Sequence, residues 1–220
     1  MSRRRTRPQQ LTFARHAGWG GRRKGAGRKP KEERARVTHL ARPALAARFP
    51  VHVTLRMLPR VWNLRSRRGF RVLRAALSAG SERFGMRLCE FSVQGNHLHL
   101  VIEAADARAL SRGMQGLSIR IAKGLNRMMQ TQGKVLADRF HARILRTPTE
   151  VQRVLTYVRG NRDIHRARWA ERHGVMPPAA KGTGAAPDPY SSSSRDHGVV
   201  LADAHSYLLG RARCEREQPP

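Results

Sequence analysis

Two histidines stand two residues apart in Gln94-Gly95-Asn96-His97-Leu98-His99-Leu100-Val101-Ile102-Glu103, at the start of an apolar run that reads as a β-strand. Strand side chains alternate between faces, so His97 and His99 share one side while Leu98, Leu100 and Ile102 share the other. Two imidazoles on one face of a rigid strand make half of a metal site. Further along, Tyr157 and Asn161 lie four residues apart within a helical pattern, so both project from one helix face. A tyrosine hydroxyl can serve as a covalent nucleophile. An amide oxygen is a hard, neutral ligand suited to Mg²⁺ or Mn²⁺.

Each of these signals has a plainer explanation when taken alone. A helical tyrosine is more often a packed aromatic with a satisfied hydroxyl than a nucleophile. His97, His99 and Glu103 also fit the His-x-His-x₃-Glu pattern of cupins, but the glycines expected at fixed offsets are missing and helices flank the strand. Metallo-hydrolase signatures want Asp-His soon after the pair, where this chain has Leu100-Val101-Ile102-Glu103. The chemical reading rests on all four residues together, in this order.

The elements that must position them can be read from periodicity. Val51 to Leu58 alternates and is β-branched, which predicts a first strand; Arg65 to Phe84 carries Phe70, Leu73 and Leu77 at helical spacing. Gly85 to Val93 reads as a second strand, joined to the His97 strand through the tight turn Gln94-Gly95-Asn96. A long helix follows, with Asp106 as its N-cap and Leu110, Met114, Leu117, Ile121, Leu125 and Met128 as one apolar stripe. After Gly133 comes an extended stretch, then a shorter helix opening at Thr147-Pro148-Thr149-Glu150, with Thr147 as cap. This order predicts an α+β fold, a ferredoxin-like antiparallel sheet with packed helices. The catalytic domain is expected over residues 49–169, between a flexible basic arm (1–48) and a neutral, loosely ordered tail (170–220) with one short helix near His205 to Leu209.

Lys and Arg number 44 against 15 Asp and Glu, a formal net charge of +29, which points to a polyanionic partner. Residues 170–220 carry six basic and six acidic groups, so the whole excess lies upstream. Candidate DNA contacts are Arg22, Arg23, Lys24, Arg28 and Lys29 in the Gly-rich arm, the row Arg120, Lys123 and Arg127 on the long helix, and Arg139 and Arg143 after it. His52 reads as structural or DNA-facing, and His141 and His165 as surface histidines. No run approaches the ~18 apolar residues of a membrane span. No apolar N-terminal segment suggests secretion, and Cys89 and Cys214 form no CxxC pair. A cytoplasmic, nucleoid-associated protein with no membrane partner is expected.

The chain resembles the single-tyrosine HUH transposases, the group that includes insertion-sequence transposases and those associated with repetitive extragenic palindromes (REP). The resemblance is carried by Asn96-His97-Leu98-His99, by Arg139-Phe140 and by Tyr157-Val158-Arg159-Gly160-Asn161, and it spans about residues 50–168. It implies an HUH endonuclease core in which His97, His99 and Asn161 hold Mg²⁺ or Mn²⁺ and Tyr157 attacks a phosphate of single-stranded DNA at hairpin or palindromic elements. A 5′-phosphotyrosine and a free 3′-OH would result, with no nucleotide cofactor. It also admits a homodimer, since in some relatives the tyrosine helix serves the partner's histidines. Many palindrome-associated relatives have proline after this asparagine, where this chain has Arg162. The alternative is a domesticated relative that binds DNA or RNA without catalysis.

Overall fold

The computed structural model describes residues 43–172, 187–194 and 197–217. The basic arm up to residue 42, with Arg22, Arg23, Lys24, Arg28 and Lys29, lies outside the described residues, as does the side chain of His165. Leu45 is buried in the core.

The elements run β1 (Val51–Arg56), α1 (Arg67–Gly80), β2 (Glu82–Arg83), β3 (Met86–Val93), β4 (His97–Ala104), α2 (Ala107–Met129), β5 (His141–Ile144), α3 (Pro148–Arg172) and α4 (Tyr207–Glu217). Side-chain caps set the helix starts, at Asp106 and Thr147 as the sequence predicts and at Ser66 in addition. Ser66 Oγ accepts from Gly69 N at 3.1 Å to open α1, and Asp106 Oδ1 accepts from Ala109 N at 2.7 Å to open α2. Thr147 and Glu150 form a reciprocal capping box at α3: Glu150 N donates to Thr147 Oγ1 (3.2 Å) and Thr147 N to Glu150 Oε2 (3.3 Å). The α2 stripe buries Leu110, Met114, Leu117, Ile121 and Leu125 as expected but ends on Met129, with Met128 only partly buried.

One antiparallel sheet has the order β2-β3-β4-β1-β5. Leaving aside the two-residue β2, the β1-α1-β3-β4-α2-β5 sequence with β4 and β5 on either side of β1 is the ferredoxin-like arrangement. The sheet separates two apolar clusters. Val51, Val53, Leu55, Leu98, Leu100 and Ile102 face α1 and α2; Cys89 and Val101 face Val151, Leu155 and Val158 of α3 and Leu209 of α4. On the first side α2 packs closely on its neighbours: a Cβ on Gly124 would lie 2.5 Å from Val72 Cγ1 of α1, and one on Gly113 2.5 Å from Met86 of β3.

One expectation needs correction. The helix bearing Tyr157 is not shorter than α2: it runs 25 residues against 23. The described parts of the C-terminal segment, largely without regular secondary structure before α4, are bonded to the domain. Asp188 takes a bidentate pair of bonds from Arg65 (2.8 and 2.7 Å), Val93 N donates to Tyr190 O, Ser192 N to Phe91 O and Ala202 N to Leu88 O. These bonds line the β3 edge that the short β2 leaves open, which is where an unpaired strand most needs a partner. Glu103 then caps the next turn, accepting from His205 N (2.8 Å) and Ser206 N (2.9 Å). Among the described residues no helix is long and apolar enough to cross a membrane.

Candidate active site

β4 aims His97 and His99 at the α3 side of the sheet, with ring centroids 4.9 Å apart. Their opposite neighbours Leu98 and Leu100 fill the α1/α2 core, so a shift of one residue in register would exchange the imidazoles for leucines. Each ring is oriented by a neighbour. His97 Nδ1 lies 2.8 Å from Asn96 Oδ1; with a proton on Nδ1 the ring donates to Asn96 and carries its lone pair on Nε2. His99 Nδ1 lies 3.2 Å from His52 Nε2 and 3.4 Å from Thr54 Oγ1. Its Nε2 points the other way, to the Tyr157 hydroxyl at 3.4 Å.

α3 thus delivers Tyr157 to the histidine face. Asn161, one turn further along the same helix face, is 0% exposed, and neither Oδ1 nor Nδ2 has a hydrogen-bond partner. A buried amide without partners costs about 1–3 kcal/mol, so the position invites a ligand. Among the described residues no cluster of three or more His, Cys, Asp or Glu could hold a metal. Two imidazoles and an amide oxygen are donor types that suit a borderline-to-hard divalent ion.

His52, read from sequence as structural or DNA-facing, belongs to this cluster. Its ring stacks on His99 at 5.3 Å between centroids and meets Tyr157 edge-on at 6.3 Å. The sequence gave no direct sign of this, because the β1–β4 register pairs Thr54 with His99 and leaves His52 on the diagonal. Burial, then the positive neighbours His141 and Arg143 on β5, lower the His52 pKa from 6.5 to about 4. Above pH 6.5 His52 is neutral in both folded and unfolded chains and costs nothing. As pH falls from 6.5 to about 4 the unfolded chain takes up the proton first, and stability drops by up to about 3 kcal/mol. In acid titrations of stability, His52→Gln should flatten this part of the curve.

The predicted basic residues divide. Arg143 pairs across from His52 on β5, and both Arg143 and Arg139 are exposed. Arg143 Nη2 donates to Glu150 Oε1 at 2.8 Å, and backbone donation from Arg146 together with this arginine lowers the Glu150 pKa. Arg120, Lys123 and Arg127 lie on α2, beyond the sheet from Tyr157, so the structure does not bring them to the site. His141 is exposed, in register with Thr54, on the same sheet face as His52.

A network that sequence reading missed holds the tyrosine helix. Glu90 is 2% exposed, and it accepts from Arg159 Nη2 at 2.6 Å, from Arg159 Nε at 3.3 Å and from the Ser192 hydroxyl. A β-bulge between Leu88 and Glu90 explains its direction. Met86 and Leu88 face the α1/α2 core, Cys89 is the extra residue, and Phe91 and Val93 resume the core face, which turns Glu90 and Ser92 toward α3. The signal in the sequence is the doubled step Cys89-Glu90 inside an otherwise alternating strand.

No protein-family model and no curated protein matches the chain. Among solved structures it is similar to a REP-associated tyrosine transposase bound to a REP hairpin, with TM-score 0.50 and 15% identity over 76% of this chain and 89% of that one. A candidate transposase from Deinococcus radiodurans aligns at 14% identity and TM-score 0.35, covering 56% of this chain and 95% of that one. The chain has the α+β fold of the REP-associated tyrosine transposase.

Proposed function

We propose that this chain is a single-tyrosine HUH transposase that cleaves and rejoins single-stranded DNA at hairpin-associated sites. The observation that carries the reading is the Tyr157 hydroxyl 3.4 Å from Nε2 of His99, whose ring lies 4.9 Å from that of His97, on the helix that carries the partnerless Asn161 amide one turn further on. Hairpin DNA as substrate is supported by the REP hairpin bound in the structure that shares this fold. The net charge of +29 favours the same partner.

In this reading His97, His99 and Asn161 hold Mg²⁺ or Mn²⁺, which would polarise the scissile phosphate and offset the charge developing on it. Asn96 orients His97, and neutral His52 with Thr54 orients His99, as hydrogen-bond partners of ligating histidines do. The bond from Tyr157 Oη to phosphorus forms as the P–O3′ bond breaks. The phenol gives up its proton and the 3′ oxygen leaves as a hydroxyl. One phosphodiester has replaced another, so a second 3′-OH can attack the phosphotyrosine and rejoin the strand. In this reading nucleophile and histidines come from one chain. DNA as substrate places the protein with the nucleoid.

A labelled hairpin oligonucleotide incubated with the protein and Mn²⁺ should yield a covalent adduct on a denaturing gel. Tyr157→Phe should remove the adduct while leaving hairpin binding within a fewfold, because the phenol leaves and its ring stays. Binding that ignores both Tyr157→Phe and chelator, with no cleavage by the wild type, would instead establish a binding protein without catalysis.

A further inference from the structure

The end of the sheet that carries His97 is finished by the β1–α1 loop, and that loop is tied directly to the histidine turn. Met57 N donates to Asn96 O at 2.9 Å and Leu64 N to Gly95 O at 2.9 Å; Leu58 N donates to Val135 O at 2.8 Å. Val61 and Leu64 turn inward to the α1/α2 core. Trp62, between them, stays 51% exposed. An indole normally gains by burial, so an exposed one on a pinned loop is held out against its own transfer free energy.

A single exposed aromatic is ordinary on a protein surface. What distinguishes this one is its surroundings. Arg56 is exposed and stands in register with His97, on the same sheet face. Arg56 O accepts from Ala137 N at 2.9 Å, which brings the segment leading to exposed Arg139 to the same end of the sheet. Aromatic faces interleaved with arginines along a path are how proteins hold single-stranded nucleic acid, base by base.

We propose that Trp62 is a stacking platform for one unpaired base of the strand beside the scissile phosphate, with Arg56 and Arg139 on the flanking phosphates. The proposal rests on the single-strand substrate of the preceding section and adds where that strand is gripped. Every base has a π-face, so the platform is tolerant of sequence and fixes the position of the strand. Hairpin recognition would then be separate from the grip on the strand at the site.

The test is fluorescence anisotropy with a hairpin carrying a single-stranded flank, in chelator so that no cleavage occurs. Abasic sites are scanned through the flank in wild type, Trp62→Phe and Trp62→Ala. Trp62→Ala should weaken binding about tenfold or more, while Trp62→Phe keeps most of it. One abasic position should weaken the wild type equally and cost nothing further in Trp62→Ala. Binding by Trp62→Ala within twofold of wild type, or equal losses at every abasic position, would overturn the platform. A tyrosine adduct in the same protein with Mn²⁺ is scored separately: adduct without the Trp62 effect defeats this inference alone, and the Trp62 effect without adduct defeats the transposase reading alone.

Discussion

Asn161→Leu should make the metal-free protein more stable and should end its response to divalent cations. The amide is fully buried and both its polar atoms lack partners, so the native chain carries a desolvation cost of about 1–3 kcal/mol there. Leucine has similar bulk and no polar atoms to satisfy. A gain of about 1 kcal/mol would raise the melting temperature by roughly 2–4 °C in a chain of this size. The wild type, by contrast, should be stabilised by Mn²⁺ or Mg²⁺, by about 2.7 kcal/mol at a hundredfold excess over its dissociation constant. Calorimetry with and without cation checks both halves. A destabilised Asn161→Leu, or one that keeps the wild-type cation shift, would show that the amide serves packing and not a ligand.

Glu90→Ala is expected to cost about 2–3 kcal/mol of stability and to slow adduct formation. Removing one partner of a buried ion pair leaves the other uncompensated, and 3–5 kcal/mol is usual for full burial. Arg159 keeps 27% of its side chain exposed, which sets the figure at or just below the lower end. The effect on chemistry follows from position, since Arg159 is two residues from Tyr157 and Ser192 holds the same carboxylate from the C-terminal segment. Denaturant unfolding of Glu90→Ala, Arg159→Ala and the double variant gives the coupling directly. A coupling near zero, or unfolding within 0.5 kcal/mol of wild type by the order of magnitude of surface changes, would contradict this account.

Local signals made much of this structure legible. The alternation around His97, the Asp106 cap, the α2 stripe and the Tyr157–Asn161 face all depend on neighbours within a turn or two, and the structure keeps them. What stayed hidden depends on distant partners. β5 is four residues of mixed character, and only its pairing with β1 makes it a strand. Glu90 was obscured by a bulge, whose one local trace is the doubled step Cys89-Glu90 and whose direction only the pairing with β4 sets. The serine-rich segment reads as part of a tail by composition, and its attachments are long-range: Asp188 meets Arg65 across 123 positions, and the Ser192 hydroxyl donates to Glu90. His52 joins the site only through a diagonal contact set by register.

The central claim, that Tyr157 is a nucleophile toward DNA, is tested most directly by mass spectrometry of the protein after reaction with a hairpin oligonucleotide and Mn²⁺. The account predicts a protein–DNA species whose digested peptide carries the nucleotide through phosphate on Tyr157. An unmodified Tyr157 in a reaction that has cleaved the strand, or an adduct mapped to another residue, would contradict it.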